Sequence, residues 1–596
     1  MTRHRSEKRS PLRLKWQEDR WILAIVALAL LLRVVYLLQA REKLYFNNFA
    51  DSLYYHVWAQ RIIAGQADPQ VFFQGPLYPY MVAFFYRLFS PNPEVVLWFQ
   101  VLLGSASCVL MYLLGRFVFG RAVGFLAALM GALYAVEMFY EGALLTTTVL
   151  YFVNLMLLVS IFWAWRAGRW YLWAVPGFLL GLSALGRANV LFFLPFLIVG
   201  IFLLGNGRRG RRIRGIQTLL AVFLGLLMVI MPITMRNLIV GQDLVLITSN
   251  LGLNFFVGNN PDAPGYYQKP KGLDFSTDLT GAKIAAVLTG RELKPSEVSR
   301  FWLQQGLNFV KTQPGAFLRL TLAKFFLFWN AYEIPQAEDF NFFKTSASVL
   351  KWPLGFFIVG PLGLLGIVLS LKQWREAYFL LTFVLSSMAT VVLFFVLARY
   401  RLQVCSVLMV FAAYALVWLW DSFKARKIRH LALALFILIF MFVVVIRPSP
   451  TLNPARDLAR AHTFQAKYHW SVKNDLEKAS DHLQLALSCD PHLGETYLQL
   501  AKLRLEQGLV DEMFDLWRET VRMDPQASMV HLNVGNLYAE MGMWDKAVEE
   551  YREEIKVSPY SYKAYDALSK ALEERRKVQK DLEKSGKDSE SSRLEE

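Results

Sequence analysis

Long apolar segments recur along the chain between residues 21 and 446. A helix needs about 20 apolar residues to cross the hydrocarbon core of a bilayer, and most of these segments are long enough to do so. Together with the shorter Tyr171–Leu185 they predict about eleven crossings, and therefore an all-α, polytopic membrane bundle. The longer segments are Trp21–Ala40, Val95–Leu114, Ala122–Tyr140, Leu144–Trp165, Ala188–Leu204, Thr218–Met235, Pro353–Leu371, Tyr378–Leu397, Leu402–Trp420 and Leu431–Val445.

The pattern changes after residue 447, where short motifs repeat at a fixed spacing. A polar residue followed by proline, and a single glycine, each recur every 34 residues, which is the period of tetratricopeptide repeats. In such repeats each helical hairpin buries its apolar face against the next, so we predict a soluble α-solenoid over residues 447–576. The recurring positions are Asp490-Pro491, Asp524-Pro525, Ser558-Pro559, Gly508 and Gly542.

The predicted repeats have two functional interpretations. One is a concave docking surface for a protein partner, and the other is a rigid cap that packs on the membrane part. The segment that follows them, residues 577–596, is charged and has few apolar side chains. We therefore expect a disordered tail or a frayed helix there.

Composition supports a membrane protein and argues against a nucleic-acid partner. The chain is 55% hydrophobic and 15% aromatic, with a mean hydropathy of +0.33, which is more apolar surface than soluble domains bury. The net charge is +17, but the basic residues lie in turns beside the spans and form no patch interleaved with aromatic residues. The three cysteines, Cys108, Cys405 and Cys489, have neither a metal-binding nor a disulfide spacing.

The basic turns predict the orientation of the bundle, because Lys and Arg in short loops stay on the cytoplasmic side. With about eleven spans, the basic N-terminus at residues 1–20 and every later basic turn fall on one side. The loops at 41–94 and 236–352 and everything after Arg447 then lie outside, in contact with the periplasm or its equivalent. The later basic turns are Arg116–Arg121, Arg166–Arg169, Arg208–Arg214, Lys372–Arg375 and Lys424–Arg429.

The first outer loop contains an acidic candidate, Asp51. It begins a segment in which Leu53, Val57 and Ile62 recur at near-helical spacing, so we expect a helix along the membrane surface. An acid at this position is explained equally well as a helix cap.

Other charged residues fall in short outer turns of the predicted bundle: Glu141, Arg187, Arg399 and Arg401. Polar groups at membrane depth are costly and usually functional, although Arg187 and Arg399 could instead extend to lipid headgroups. Arg33 differs because it lies more than halfway along the first span, where we expect it to face the bundle and pair with a carboxylate.

Two parts of the large outer loop are also informative. Ala316–Tyr332 is apolar, but it contains Arg319 and Lys324, and inserting it would reverse the later basic turns. We therefore predict an amphipathic helix on the membrane surface. An irregular outer turn formed by Asn254, Gly258–Pro261 and Gly265-Tyr266-Tyr267 is expected either to recognise sugar or acceptor or to form a structural cap on the seventh span.

These motifs together resemble the GT-C class of polytopic glycosyltransferases, in particular family 39-like bacterial members allied to protein O-mannosyltransferases and aminoarabinose lipid A transferases. Further segments are similar to a bacterial branch whose members often end in tetratricopeptide repeats. The motifs are Leu-Leu-Arg33, Asp51 before Tyr54-Tyr55, Gly75-Pro76-Leu-Tyr-Pro79, Arg236–Pro261, Phe328–Pro335 and Arg399-Tyr-Arg401.

The resemblance implies transfer of a sugar from a polyprenyl-phosphate donor to a protein, lipid or glycan acceptor, with inversion, at the outer face of the inner membrane. By position, Asp51 would be the general base, with Glu141 as a second catalytic carboxylate. The donor phosphate would be bound by Arg187, Arg399, Arg401 and Arg236. The expected substrate-binding residues are Tyr54, Tyr55, His56, Tyr78, Asn254 and Asn259.

The sequence departs from the family pattern where relatives carry additional acids. Ser52 follows Asp51, and Thr146–Thr148 occupy the second outer turn, so few oxygen ligands remain for a divalent ion. We therefore expect no metal and no other cofactor.

Three other functions compete with this interpretation. A ligase or polymerase for lipid-linked glycans would share the donor and the outer site, but usually has its largest outer loop nearer the end of the membrane part. A secondary transporter should show repeated halves, and no internal repeat precedes residue 450. A non-catalytic anchor for the repeats would need no clustered outer charges.

Overall fold

The computed structural model describes residues 19–40, 50–66, 68–204, 211–275, 277–351, 354–524 and 529–594. Within these ranges the regular elements are helices, and the β pairing consists of isolated bridges, Tyr134 with Leu354 and Tyr266 with Val396. The all-α prediction is confirmed. The basic N-terminus before Asp19 and part of the Arg208–Arg214 turn lie outside the described residues.

All of the predicted membrane spans coincide with helices. Seven helical segments are long and apolar enough to cross a membrane, and one of them, Phe356–Leu393, contains two predicted spans. The three remaining predicted spans fall on apolar helical segments that are shorter than a candidate span, Arg121–Ala132, Trp170–Gly186 and Ala188–Leu204. The helices of this part are α1 (Trp21–Ala40), α2 (Ala50–Ile63), α3 (Leu77–Leu88), α4 (Pro93–Val118), α5 (Arg121–Ala132), α6 (Ala135–Glu141), α7 (Thr147–Ala167), α8 (Ala174–Gly186), α9 (Leu194–Leu204) and α10 (Arg211–Ile239).

Close packing of the later spans depends on small residues. A Cβ added at Gly363 would lie 3.1 Å from Leu408, and one at Gly366 would overlap the Phe411 carbonyl. Small residues let membrane helices approach closely, since lipid offers no hydrophobic driving force between them. The helices that follow the large outer loop are α16 (Phe356–Ser370), α17 (Trp374–Leu393), α18 (Ala398–Lys424) and α19 (Ile428–Ile446).

Both segments that we predicted to lie along the membrane surface are helical. Asp51 lies in the first turn of α2, as expected. The segment predicted to be amphipathic forms α14 (Pro314–Trp329), in which Lys324 is buried while Leu318 and Phe326 are exposed. An exposed apolar face is what a helix lying on a membrane requires. The same loop also contains α11 (Leu251–Gly258), α12 (Ala282–Thr289), α13 (Pro295–Thr312) and α15 (Phe340–Ser346).

The chain divides into two compact units, and the division differs from the predicted domain boundary. The second unit combines Asn453–Glu596 with Gly252–Ala263 and Gln268–Phe309 from the outer loop, and the first unit contains the rest. We expected the whole loop to belong to the membrane domain. Aromatic packing explains the difference, because Phe256 and Trp302 of the loop contact Tyr560.

The tail forms successive helix pairs, although its assignment to the tetratricopeptide family stays a prediction. Gly508 and Gly542 have φ of +77° and +72°, so the recurring glycine ends a helix in the left-handed conformation that glycine adopts at little cost. The helices are α20 (Pro454–Ser471), α21 (Leu476–Cys489), α22 (Gly494–Glu506), α23 (Val510–Met523), α24 (Val530–Glu540), α25 (Trp544–Val557) and α26 (Tyr562–Leu594).

The charged segment after residue 577, which we expected to be disordered or frayed, is helical as far as Leu594. Ion pairs between side chains three or four residues apart support an exposed helix even without apolar content. In the part of the helix that leads into this segment, Lys577 with Glu574 and Lys570 with Asp566 form such pairs, at 2.6 and 2.8 Å.

Candidate active site

Arg33 lies at the centre of a buried ionic cluster between the first spans. Its Nε is 2.9 Å from Glu141 Oε1 and its Nη2 is 3.3 Å from Glu137 Oε2. All three side chains are essentially inaccessible to solvent. The prediction that Arg33 faces the bundle and pairs with a carboxylate is therefore confirmed.

Gly104 makes room for this cluster, because a Cβ there would overlap the Glu141 carboxylate and lie 2.8 Å from Arg33 Nε. The buried carboxylate of Glu141 therefore forms an ion pair with Arg33. We had predicted a catalytic role for Glu141, and this pairing gives it a structural one. Glu137 was not among the predicted site residues. A lone acid inside an apolar segment is the signal that could have identified it.

Asp51 pairs with Arg399 in a separate cluster. Arg399 Nη2 donates a hydrogen bond of 2.6 Å to Asp51 Oδ2, and the same nitrogen contacts Gln336 Oε1. The Asp51 side chain is 25% exposed and that of Arg399 is 6% exposed. Helix α2 begins at Ala50, so Asp51 lies inside the first turn, and its carboxylate is directed to a distant guanidinium.

Tyr400 brings a second arginine to the same place. The guanidinium of Arg187 lies 4.0 Å from the centre of the Tyr400 ring, and that of Arg399 lies 5.4 Å from it. Arg187 follows helix α8 in extended conformation, and its side chain also interacts electrostatically with Asp51. The structure therefore groups Asp51 of helix α2, Arg187 after helix α8 and Arg399 in the first turn of α18.

Gly75 explains how the first outer loop reaches Arg187. A Cβ at this position would lie 2.5 Å from the carbonyl oxygens of both Leu185 and Gly186. Only a residue without a side chain fits so close to another backbone. The Gly75-Pro76 motif thus packs directly on the turn that presents Arg187.

Arg401, a predicted phosphate ligand, instead contacts Glu333 and backbone carbonyls of the same segment. Its Nη2 is 2.7 Å from Glu333 Oε2, and its Nη1 donates to the carbonyl of Phe328 at 3.1 Å and contacts that of Asn330. The guanidinium lies 3.7 Å from the centre of the Phe356 ring. Arg401 therefore holds the Phe328–Pro335 segment in place, and its charge is already balanced by Glu333.

Arg236, the remaining predicted phosphate ligand, shapes the first outer loop. Its guanidinium lies 4.1 Å from the centre of the Phe72 ring and contacts the carbonyl oxygens of Asp68 and Gln70. The neighbouring Asn237 accepts a hydrogen bond of 3.2 Å from the Phe72 amide. These contacts fix the path of the chain that leads into the Gly75 motif.

Two tyrosines follow Asp51 on helix α2, and both interact electrostatically with it. The ring centres of Tyr54 and Tyr55 are 5.8 Å apart, and those of Tyr55 and Tyr78 are 5.1 Å apart. The Tyr78 hydroxyl donates to Gln100 Oε1 at 2.7 Å. Burial raises the pKa of Tyr55 and the Asp51 charge raises it further, while Arg399 opposes the shift. Tyr55 therefore stays a neutral hydrogen-bond donor beside Asp51.

His56 lies on the same helix but contacts Tyr86, with 2.7 Å between His56 Nδ1 and the Tyr86 hydroxyl. Burial lowers the pKa of His56, so the imidazole is neutral at pH 7. This contact joins α2 to α3.

Glu338 is a further carboxylate that was not among the predicted site residues. Its side chain is buried, and it interacts electrostatically with Arg399 and Asp51. Burial raises the pKa of Glu338, Arg399 partly offsets that effect, and Asp51 adds to it. Its position in Gln336-Ala-Glu338, three residues after the Phe328–Pro335 motif, was the available signal.

Asn254 and Asn259 belong to the second compact unit. Helix α11 extends through Gly258, so Asn254 lies in a helix rather than in the irregular turn that we expected. The Asn259 side chain is buried and donates a hydrogen bond of 2.9 Å to the Phe255 carbonyl.

Several buried polar atoms near the outer turns have no hydrogen-bond partner within the described part of the chain. Such atoms are rare in folded proteins, and where they occur they often mark sites for water or ligands. They include Arg399 Nε, Ser52 Oγ and the hydroxyls of Thr146, Thr147 and Thr148.

A family model matches the centre of the membrane part. Residues 73–235 match the model described as dolichyl-phosphate-mannose-protein mannosyltransferase. The matched segment is a little over a quarter of the chain and includes Gly75, Glu141 and Arg187. The match confirms the resemblance to GT-C glycosyltransferases. No curated protein sequence matches the chain.

Solved archaeal structures show a similarity at low identity. The Archaeoglobus fulgidus oligosaccharyltransferase in the apo form has a TM-score of 0.41 and 14% identity, covering 78% of this chain and 60% of that chain. The oligosaccharyltransferase AglB from the same organism, in complex with an inhibitory peptide and a dolichol-phosphate, has a TM-score of 0.40 and 15% identity, covering 76% and 58%. This chain therefore spans about three fifths of their length.

Proposed function

We propose that this chain is a membrane glycosyltransferase of the GT-C class, which transfers a sugar from a polyprenyl-phosphate donor to an acceptor hydroxyl at the outer face. The observation that carries the proposal is the grouping of the Asp51–Arg399 ion pair with Arg187 around Tyr400. The reaction requires a base that accepts the proton of the acceptor hydroxyl and a cation that binds the donor phosphate. A carboxylate beside two guanidinium groups can supply both. The protein-mannosyltransferase match of residues 73–235 supports the class.

In this proposal Asp51 is the general base. The acceptor hydroxyl attacks the anomeric carbon from the face opposite the phosphate, and its proton passes to the Asp51 carboxylate. The bond between the anomeric carbon and the phosphate oxygen breaks, which inverts the configuration and releases polyprenyl phosphate. Arg399 holds the carboxylate in one orientation, so that the acceptor meets a base already in position.

Arg187 is the proposed ligand of the donor phosphate. Its guanidinium stacks on Tyr400, and a stacked guanidinium keeps its N–H edge available for an anion. The leaving phosphate gains charge as the glycosidic bond breaks, so a fixed cation there stabilises the transition state. Arg401 is not included, because Glu333 already balances its charge.

The proposed chemistry uses no metal or other cofactor. The nearest charged neighbour of Asp51 is the Arg399 guanidinium at 2.6 Å, and a cation in that position disfavours a second, divalent one. Among the described residues, no group of three or more His, Cys, Asp or Glu side chains is placed to hold a metal ion.

Sugar transfer by the purified protein in lipid tests the proposal. We expect transfer from one or more members of a panel of polyprenyl-phosphate sugars, with the inverted anomeric configuration in the product. Arg187→Ala should weaken donor binding by roughly tenfold or more, because a hydrogen bond to a charged group contributes about 1.5–3 kcal/mol and 1.4 kcal/mol corresponds to about a tenfold change in affinity. Arg87→Ala, in an outer helix, is the matched control.

A retained configuration, or donor binding that is unchanged in Arg187→Ala, would contradict the proposal. Transfer that occurs only from lipid-linked oligosaccharides would favour the ligase alternative. Failure of every donor to bind would favour the non-catalytic anchor.

A further inference from the structure

Three polar side chains form a continuous series of hydrogen bonds inside the membrane part. Ser183 Oγ donates to Asn154 Oδ1 at 2.7 Å, and Asn154 Nδ2 donates to Gln403 Oε1 at 2.9 Å. Gln403 Nε2 in turn donates to the Thr147 carbonyl at 3.1 Å. The three side chains, which we call the relay, join helices α8, α7 and α18.

The relay is buried, and its hydrogen bonds are complete. Ser183, Asn154 and Gln403 are 1%, 5% and 9% exposed, and each of their side-chain nitrogen and oxygen atoms has a partner. A buried polar network whose members are all satisfied rigidifies its surroundings and specifies one arrangement of the elements that it joins. Hydrogen bonds between membrane helices have this effect in segments that are otherwise apolar.

One end of the relay is fixed to the turn that carries Arg187. Ser183 lies in the last turn of α8, and its carbonyl accepts a hydrogen bond of 2.9 Å from the Arg187 amide. Helix α7 packs closely at the same place, because a Cβ added at Gly186 would lie 2.6 Å from Leu150 Cδ2. The backbone of Arg187 therefore follows any movement of Ser183.

The other end of the relay lies one turn after Arg399. Gln403 follows Arg399 by four residues in α18, so both side chains lie on the same face of that helix. Tyr400 lies between them in sequence, and its ring centre is 4.0 Å from the Arg187 guanidinium and 5.4 Å from that of Arg399. A shift of α18 relative to α8 would therefore change the distance between the two guanidinium groups.

We propose that the relay sets the register between α8 and α18, and thereby holds Arg187 at the distance from the Asp51–Arg399 pair that sugar transfer requires. The proposal rests on the proposed function. In-line transfer needs the base and the phosphate ligand on opposite sides of the anomeric carbon, and a displacement of about 1 Å can lower a rate by about a hundredfold. The three residues of the relay are positioning residues, because they act on the reaction through the two arginines.

Loosening the relay should lower kcat more than it weakens donor binding. The Arg187 guanidinium remains in a relay variant and can follow the phosphate, whereas its alignment with Asp51 is lost. We expect Ser183→Ala, which removes one hydroxyl group, to lower kcat about tenfold, within the usual range of coupling between sites. The KM for the donor should change by less than about twofold.

Ser160→Ala is the matched control. Ser160 is also a buried serine, but its hydroxyl donates to the Leu157 carbonyl of its own helix, at 2.7 Å. It should leave both kcat and KM unchanged. A loss of kcat in Ser160→Ala as large as that in Ser183→Ala would overturn the proposal, because the effect would then not depend on a bond between helices.

Hydrogen exchange of the full chain in lipid nanodiscs tests the relay without reference to activity. Asn154→Leu should raise exchange of the Arg187 and Arg401 amides by about fivefold or more, the lower range of coupling between sites. These amides lie at the ends of the two joined helices and donate to the Ser183 and Leu397 carbonyls. If exchange rises only within α7, the relay does not connect α8 to α18 and the proposal is overturned.

An apolar replacement of the whole relay separates positioning from stability. A single substitution leaves buried polar atoms without partners, which is destabilising in itself. The triple variant Ser183→Ala, Asn154→Leu and Gln403→Met removes the polar atoms of all three side chains and keeps similar volumes, so its thermal unfolding should be close to that of the wild type. Its kcat should nevertheless stay low, because no directional bond then joins α8 to α18. Recovery of kcat together with stability would show that the relay only stabilises the bundle.

Failure of the relay and failure of the proposed function give different results. Raised exchange at both helix ends, in a protein whose wild type transfers sugar from no donor, would support the link between α8 and α18 and contradict the proposed function alone. An unchanged kcat in Ser183→Ala and Asn154→Leu, in a protein that does transfer sugar, would overturn the role of the relay and leave the proposed function intact.

Discussion

At the residue scale, charge inside the bundle is tolerated because it is paired. Arg33 meets Glu141 and Glu137 in a space that excludes water and that Gly104 keeps open. Burying such groups is costly, but leaving one of them without its partner costs far more. The cluster is therefore an internal support for the first spans, separate from the proposed chemistry at Asp51.

Replacing Arg33 should destabilise the protein strongly. In Arg33→Met, two buried carboxylates would face each other without a cation, at a cost of roughly 3–5 kcal/mol. Thermal unfolding in detergent would measure the loss. The triple variant with Glu137→Gln and Glu141→Gln removes both carboxylate charges and should recover part of it. An Arg33→Met protein as stable as the wild type would refute this account of the cluster.

The sequence predicts some site residues and misses others for a physical reason. Topology alone predicts that Asp51, Arg187 and Arg399 reach one face, because each lies in a segment outside the spans. Whether each guanidinium can bind substrate depends on the carbonyl groups and carboxylates that the folded chain places beside it. Arg401 is taken up by Glu333 and backbone carbonyls, and that neighbourhood has no signature in spacing or composition.

At the element scale, a long apolar segment with few charged residues predicts a membrane span. The positions of the helices in the loops depend instead on tertiary contacts. The segment predicted as Ala316–Tyr332 forms the helix Pro314–Trp329, and its position on the membrane surface stays a prediction from the charges of Arg319 and Lys324. The division of the outer loop between two units could not be predicted, since it follows from the packing of Phe256 and Trp302 on a distant tyrosine.

Gly75 offers a test of how elements assemble the site. An alanine there would press its Cβ against the Leu185 and Gly186 carbonyls, so the turn that carries Arg187 must shift. We expect Gly75→Ala to cost about 1–3 kcal/mol of stability and to weaken donor binding. Thermal unfolding and donor titration would measure the two effects.

Gly315→Ala is the control for this substitution, because the added Cβ has nothing within 4 Å. It should leave both measurements unchanged. Wild-type donor affinity in Gly75→Ala would show that the Gly75 contact does not position Arg187.

At the scale of the whole molecule, the repeats and two segments of the large loop, Gly252–Ala263 and Gln268–Phe309, fold into one compact unit. The charge of the basic turns predicts that both lie outside. Under that orientation, we expect sugar transfer to take place on the periplasmic face.

Cysteine labelling in intact cells would test this orientation. In a Cys489→Ser background, a cysteine at the exposed Asp262 should react with a membrane-impermeant maleimide. A cysteine at the exposed Lys427, in the turn before α19, should react only after the cells are permeabilised. Labelling of position 427 in intact cells would reverse the proposed topology.

The most direct test of the central claim is sugar transfer by Asp51→Asn, measured in lipid with the donor that the wild type uses. The substitution preserves shape and leaves Arg187 in place, so folding and donor binding should be retained. Loss of the general base predicts a fall in kcat of roughly a hundredfold or more. A fully active Asp51→Asn protein would contradict the account and leave Asp51 with a structural role as the partner of Arg399.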